Sequence, residues 1–112
     1  MTISEFNSLA LALPKVSDEP HFPKAAYKIR KNTFVTLDPK LTTATFRLLE
    51  KNQNILSLID KKHIYPVPNK WGQMGWTVFE IEHLGREIIQ EVLKVIYCEL
   101  APKELQKLVN ND

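Results

Sequence analysis

Seven prolines, at positions 14, 20, 23, 39, 66, 68 and 102, divide the chain into stretches that each have room for one short element. A proline lacks an amide proton and its ring collides with the preceding helical turn, so it stays out of helix interiors and central strands. Before Pro14, Thr2-Ile3-Ser4-Glu5 has capping-box spacing, and Phe6, Leu9, Ala10 and Leu13 recur at i, i+3, i+4 and i+7. This predicts an amphipathic helix over 3–13, ended at Pro14 because the residue before a proline avoids the helical region. Pro14, Pro20 and Pro23, with Asp18 and Glu19 between them, predict an ordered loop over 14–24.

From Ala25 the period changes to two. Tyr27 and Ile29 alternate with Lys28 and Arg30, Lys31-Asn32 is short enough for a two-residue turn, and 33–37 continues as a second strand. Asp38-Pro39-Lys40 turns the chain again. A third strand over 43–48 sets Ala44, Phe46 and Leu48 against Thr43, Thr45 and Arg47. A short helix follows over 50–59, and the prolines of the extended stretch 64–68 assign it to a sheet edge. Residues 69–75 form a loop holding two of the three glycines. The next strand, 76–81, has Trp76, Val78 and Glu80 on one face and Thr77, Phe79 and Ile81 on the other. Ile88, Ile89, Val92, Leu93, Val95, Ile96 and Leu100 form a broad apolar helical stripe over 85–100, and Pro102 opens a last helix over 102–109. The order α-β-β-β-α-β-β-α-α predicts a single α+β domain over 1–112, an antiparallel sheet with flanking helices.

At 112 residues, 44% hydrophobic and 25% charged, the composition suits one soluble globular domain and excludes a disordered tail, a collagen-like repeat and a disulfide scaffold. The run from Leu9 to Leu13 is far short of the roughly 20 apolar residues that span a bilayer, and no secretory leader is evident. Neither a membrane span nor membrane association is expected. A single cysteine, Cys98, has no internal disulfide partner, which suits a reducing cytoplasm.

Candidate chemistry is sparse. His21, His63 and His83 lie in three segments without the paired spacing of zinc sites, so no metal and no cofactor are expected. Cys98 sits inside an amphipathic helix beside Glu99, a setting for packing rather than for a reactive thiolate. Three glycines leave no phosphate-cradling loop, and no serine occupies a nucleophile elbow. Glu80 and Glu82 alternate at a strand end, where they could repel one another or simply be solvated. No catalytic residue is assigned, and the chain reads as non-enzymatic.

What remains is cationic and aromatic. The net charge is only +2, but residues 14–70 carry eleven Lys and Arg against five acids, and residues 71–112 carry four against seven. Lys28 and Arg30 fall on the polar side of one strand, Arg47 on that of another, and Lys31 tips the hairpin. Lys70 and Trp71 share a glycine-containing loop. Phosphate tracking plus base stacking calls for such a set, so Lys28, Arg30, Lys31, Arg47, Lys70 and Trp71 are the candidate nucleic-acid-binding residues. An ordinary solvated surface gives the same charge distribution, and Trp76, on a strand, is expected as a core anchor.

Several motifs in order resemble the MmcQ/YjbR family. Leu13-Pro14-Lys15-Val16 followed by Glu19-Pro20-His21-Phe22 is similar to its opening pattern, and the hairpin from Tyr27 to Asp38 is similar to its first hairpin, with Asn32 departing from the usual turn. Tyr65-Pro66-Val67-Pro68-Asn69-Lys70-Trp71-Gly72, then Gly75-Trp76-Thr77, resemble its P-x-x-K…GW signature, and Tyr97-Cys98 with Ala101-Pro102-Lys103 its closing helix and exit. The resemblance implies a CyaY-like, or secretion-chaperone-like, α+β fold in a family of largely unknown function that is often called DNA-binding. Its two wings would be the hairpin at Lys31-Asn32 and the loop at Trp71-Gly72. Iron binding of the frataxin kind would need an acidic ridge on the first helix, which here holds only Glu5. The leading expectation is a binding protein for DNA or another polyanion. The alternative is a protein–protein adaptor or chaperone-like module, monomeric or weakly dimeric, using the sheet or the helical stripe of 88–100.

Overall fold

The computed structural model describes residues 1–21 and 24–110. Helix α1 (Ile3–Leu11) opens on the capping box its sequence predicts: the Glu5 amide donates to Thr2 Oγ1 at 3.1 Å and the Thr2 amide to Glu5 Oε1 at 3.2 Å. The Thr2 amide foremost, and then the Thr2 hydroxyl, hold the Glu5 carboxyl below its ordinary pKa. Four strands follow, β1 (Val16–His21), β2 (Lys24–Ile29), β3 (Asn32–Asp38) and β4 (Thr43–Arg47). Then come α2 (Glu50–Ile59), β5 (Ile64–Pro66), the four-residue helix α3 (Lys70–Gln73), β6 (Trp76–Glu80), a 3-10 turn (Ile81–His83), α4 (Arg86–Leu100) and α5 (Lys103–Asn110). The strands form one antiparallel sheet in the order β1-β2-β3-β4-β6-β5.

One face of the sheet makes the core. Tyr27, Ile29, Val35, Leu37, Ala44, Phe46 and Phe79 meet Phe6 and Ala10 of α1 and Ile89, Val92, Leu93, Ile96 and Tyr97 of α4, all buried. Phe6 and Tyr27, and Phe46 and Phe79, pack edge to face with ring centroids 5.8 and 5.0 Å apart. Each such fully buried side chain contributes about 1.5–3 kcal/mol relative to exposure. Most of the α4 stripe packs within the chain, with Ile88 and Val95 half-buried and Leu100 exposed.

Four expectations need correction. The stretch assigned to a loop over 14–24 contains strand β1, the sixth of the sheet. Ser17, Asp18 and Glu19 are exposed because β1 is an edge strand, so its sequence carries no alternation of apolar and polar residues, and Pro20 is tolerated because one side of an edge needs no donor. Phe22 and Pro23, also within that stretch, lie outside the described residues. The first hairpin turns at Arg30-Lys31 rather than Lys31-Asn32: Ile29 pairs with Asn32, and Arg30 takes the positive φ, 59°. The loop over 69–75 holds helix α3. Strand β6 ends at Glu80, so Glu82 enters the 3-10 turn and the two carboxylates do not alternate along one strand.

β3 also carries an extra residue. Tyr27 pairs with Val35 but Lys28 with Thr33, leaving Phe34 as a bulge, and both Phe34 and Val35 are fully buried. No helix among the described residues is long and apolar enough to cross a membrane.

Candidate functional site on the open sheet face

Antiparallel sheets commonly pack one face and expose the other. Here the register aligns Thr36, Thr45, Val78 and Tyr65 across β3, β4, β6 and β5, all half-buried on the face opposite the core. One row along, Arg47 faces Trp76. Thr36, Thr45, Val78, Tyr65 and Trp76, but not Arg47, floor a groove of about 720 Å³, walled by Val67, Pro68 and Trp71 on one side and by Lys24 and Asp38 at the far end. Trp76 is therefore not a core anchor but lies half-buried on the open face.

Trp71 is 49% exposed, yet the turn that carries it is held from several directions. Asn69 caps α3, its Oδ1 accepting from the Trp71 amide at 2.8 Å. The buried side chain of Gln53, from α2, donates to the Gly72 carbonyl at 2.9 Å and to Thr77 Oγ1 at 3.0 Å, and Thr77 donates on to the Gly75 carbonyl at 3.0 Å. Gly72 lies so close to Val67 that a Cβ would stand 2.0 Å from its carbonyl oxygen. At Gly75, with φ +105°, a Cβ would stand 2.1 Å from that of Leu48.

The six residues named from sequence do not form one patch. Lys28 lies on the open face, but its Nζ pairs with Glu19 Oε2 at 2.6 Å across the β1–β2 ladder. Arg30, at the positive-φ turn, reaches Glu104 of α5 at 3.0 Å. Arg47, Lys31 and Lys70 are exposed, with no ion pair among the described residues. Trp71 lines the groove, Arg47 stands opposite Trp76 without lining it, Lys70 stands beside Trp71 in α3, and Lys31 remains at the distant hairpin tip. Arg47 instead borders a second cavity of about 410 Å³ together with Leu48, Met74 and Glu99. Sequence reasoning missed Lys24, Tyr65 and Trp76 as groove residues. The outward alternation of Thr43, Thr45 and Arg47, and of Trp76 and Val78, was the available signal, but only the register aligns those two rows.

A second cluster sits at the other end of the β5–β6 ladder. His63 and His83 stack with ring centroids 4.6 Å apart, and His63, Glu80 and His83 offer ligand atoms all within 4.8 Å of one another. Asp60 Oδ2 meets His63 Nδ1 at 2.9 Å, and this bond holds the Asp60 carboxyl below its usual pKa. Tyr65 donates its hydroxyl to Glu80 Oε2, which, with burial, pushes the phenol up to about 12. The side chain of His21 lies outside the described residues.

No family model matches the chain, and no curated protein matches it. Among solved structures, the Deinococcus radiodurans protein DR2400, a DUF419 domain, is similar with a TM-score of 0.72 and 16% identity, covering 92% of this chain and 80% of that one. At that identity the likeness establishes the fold, a single α+β domain built on a six-stranded antiparallel sheet, and nothing of function.

Proposed function

We propose that this chain is a non-enzymatic binding protein that takes a single-stranded nucleic-acid segment across its open sheet face. The observation that carries the reading is the groove lined by Tyr65, Trp71 and Trp76, with Lys24 in its wall and the exposed Arg47 and Lys70 next to Trp76 and Trp71. Aromatic rings on a half-exposed sheet give bases a stacking surface, and Lys24, Arg47 and Lys70 are placed to follow the phosphates. Threonine hydroxyls on the groove floor supply polar contacts without sequence preference. Lys28 and Arg30 enter only as secondary contacts, since each already neutralises a carboxylate, although exposed pairs of this kind are weak enough to exchange. Membership of the MmcQ/YjbR family, with the Trp71-Gly72 turn as one wing, belongs to the same proposal, as does a reducing, cytoplasmic setting for Cys98.

Tryptophan fluorescence titration with short single- and double-stranded DNA tests the reading. Single strands should quench and bind more tightly than duplex. Their affinity should fall with salt at a log–log slope of about −2, because each single-strand phosphate contact contributes about −0.7. Trp71→Ala should weaken binding about 5- to 150-fold, in line with about 1–3 kcal/mol for a stacked base. Flat titrations to high micromolar DNA, or an Arg47→Glu variant that binds like the parent, would overturn the proposal. That outcome would favour the adaptor reading, for which α2 offers Ile55, Leu58 and Ile59, each more than half exposed on one side of the helix.

A further inference from the structure

We propose that His63, Glu80 and His83 form a binding site for a divalent transition-metal ion of the zinc type. The register creates the site. The Glu80 amide donates to the His63 carbonyl at 2.9 Å, which sets these two residues opposite one another at the end of the β5–β6 ladder. The 3-10 turn then folds His83 back over the His63 ring. Three residues distant in sequence thereby bring two imidazole nitrogens and a carboxylate oxygen within 4.8 Å.

The surroundings prepare two of the three ligands. Asp60 engages Nδ1 of His63, at 2.9 Å, leaving Nε2 as the atom His63 has to offer. A carboxylate behind a ligating histidine fixes its tautomer and raises its basicity, and such partners commonly matter about 10–100-fold in affinity. The hydroxyl of Tyr65 holds one oxygen of Glu80 and leaves the other available. The third ligand, His83, is exposed on a short turn and is the one free to rotate. It must do so, because near-parallel rings, 24° apart, have to splay for both nitrogens to reach one ion at about 2.0–2.1 Å. Two imidazoles with one carboxylate favour zinc and its first-row neighbours over magnesium or calcium, which prefer oxygen sets. Three protein ligands leave a coordination position for water on the open side.

Isothermal titration with zinc chloride, and Co²⁺ absorption as a geometry-sensitive stand-in, test the site on the intact chain. One ion per chain should bind, with saturable uptake. His83→Ala should weaken binding at least tenfold. Because His83 is exposed, that variant keeps its fold, which far-UV circular dichroism checks. Asp60→Asn should weaken zinc about tenfold while all three ligands remain. The proposal is overturned if the parent chain shows no saturable uptake, or if His83→Ala and Glu80→Gln bind zinc as the parent does.

Discussion

Gln53 is one of two buried polar side chains in the described chain, the other being its partner Thr77. Its amide ties α2 to the α3 turn and to β6 through bonds of 2.9 and 3.0 Å. Removing it leaves the Gly72 carbonyl buried and short of a donor, which costs more than the bond itself contributes. Gln53→Ala should therefore lower stability by about 2–3 kcal/mol in chemical denaturation, and the Trp71 emission should shift toward that of a solvated indole before global unfolding. Glu99 acts similarly at the start of α2: its Oε1 accepts from the Leu49 amide at 2.7 Å, where the N-cap residue has no side-chain acceptor of its own. Nothing in the sequence around Gln53 distinguishes it from a solvated helical glutamine. Its burial follows from the approach of α2 to β5 and β6, which only the tertiary structure supplies.

At the scale of elements, the short α3 depends on two glycines that its neighbours crowd. Gly72→Ala and Gly75→Ala should each destabilise by about 3 kcal/mol, the first by collision with Val67 and the second by collision with Leu48 at a positive φ. Gly85, at the start of α4, has open space around it, so Gly85→Asp should be neutral to slightly stabilising, within about 0.5 kcal/mol, by capping that helix. Thermal melts of the three variants check the contrast. The elements legible in the sequence were those with a strong period: α1 with its capping box, α4, and the alternating strands around Phe46 and Phe79. β1 was not legible, because an exposed edge strand leaves no alternation to read. Neither was the Phe34 bulge, which puts two successive residues into the core where a period of two allows one. The groove and the His63–His83 contact both depend on the register between β4, β6 and β5, and register lies in the pairing of segments rather than in any one of them.

For the molecule as a whole, the tyrosines report on the core. Burial, with Asp18 adding to it, pushes the Tyr27 phenol up to about 12, and burial also raises that of Tyr97. Both hydroxyls are donors inside the fold, Tyr27 to Asn7 Oδ1 at 2.8 Å and Tyr97 to the Pro14 carbonyl at 2.5 Å. In the unfolded chain these groups ionise near pH 10. Their contribution to stability is thus complete below about pH 10 and is lost as the pH rises toward about 12. An alkaline titration should show tyrosinate absorbance appearing together with loss of far-UV ellipticity, and Tyr27→Phe should flatten the fall in stability across that window. The two outer strands bear on a different property. β1 exposes Ser17, Asp18 and Glu19 and contains Pro20, and β5 is only three residues long and ends on Pro66. Charge, proline and brevity make such borders poor templates for another chain to zip onto. An aromatic, half-bare sheet would otherwise invite growth into fibrils. These two borders work against such growth from either side of the sheet while its aromatic face stays open.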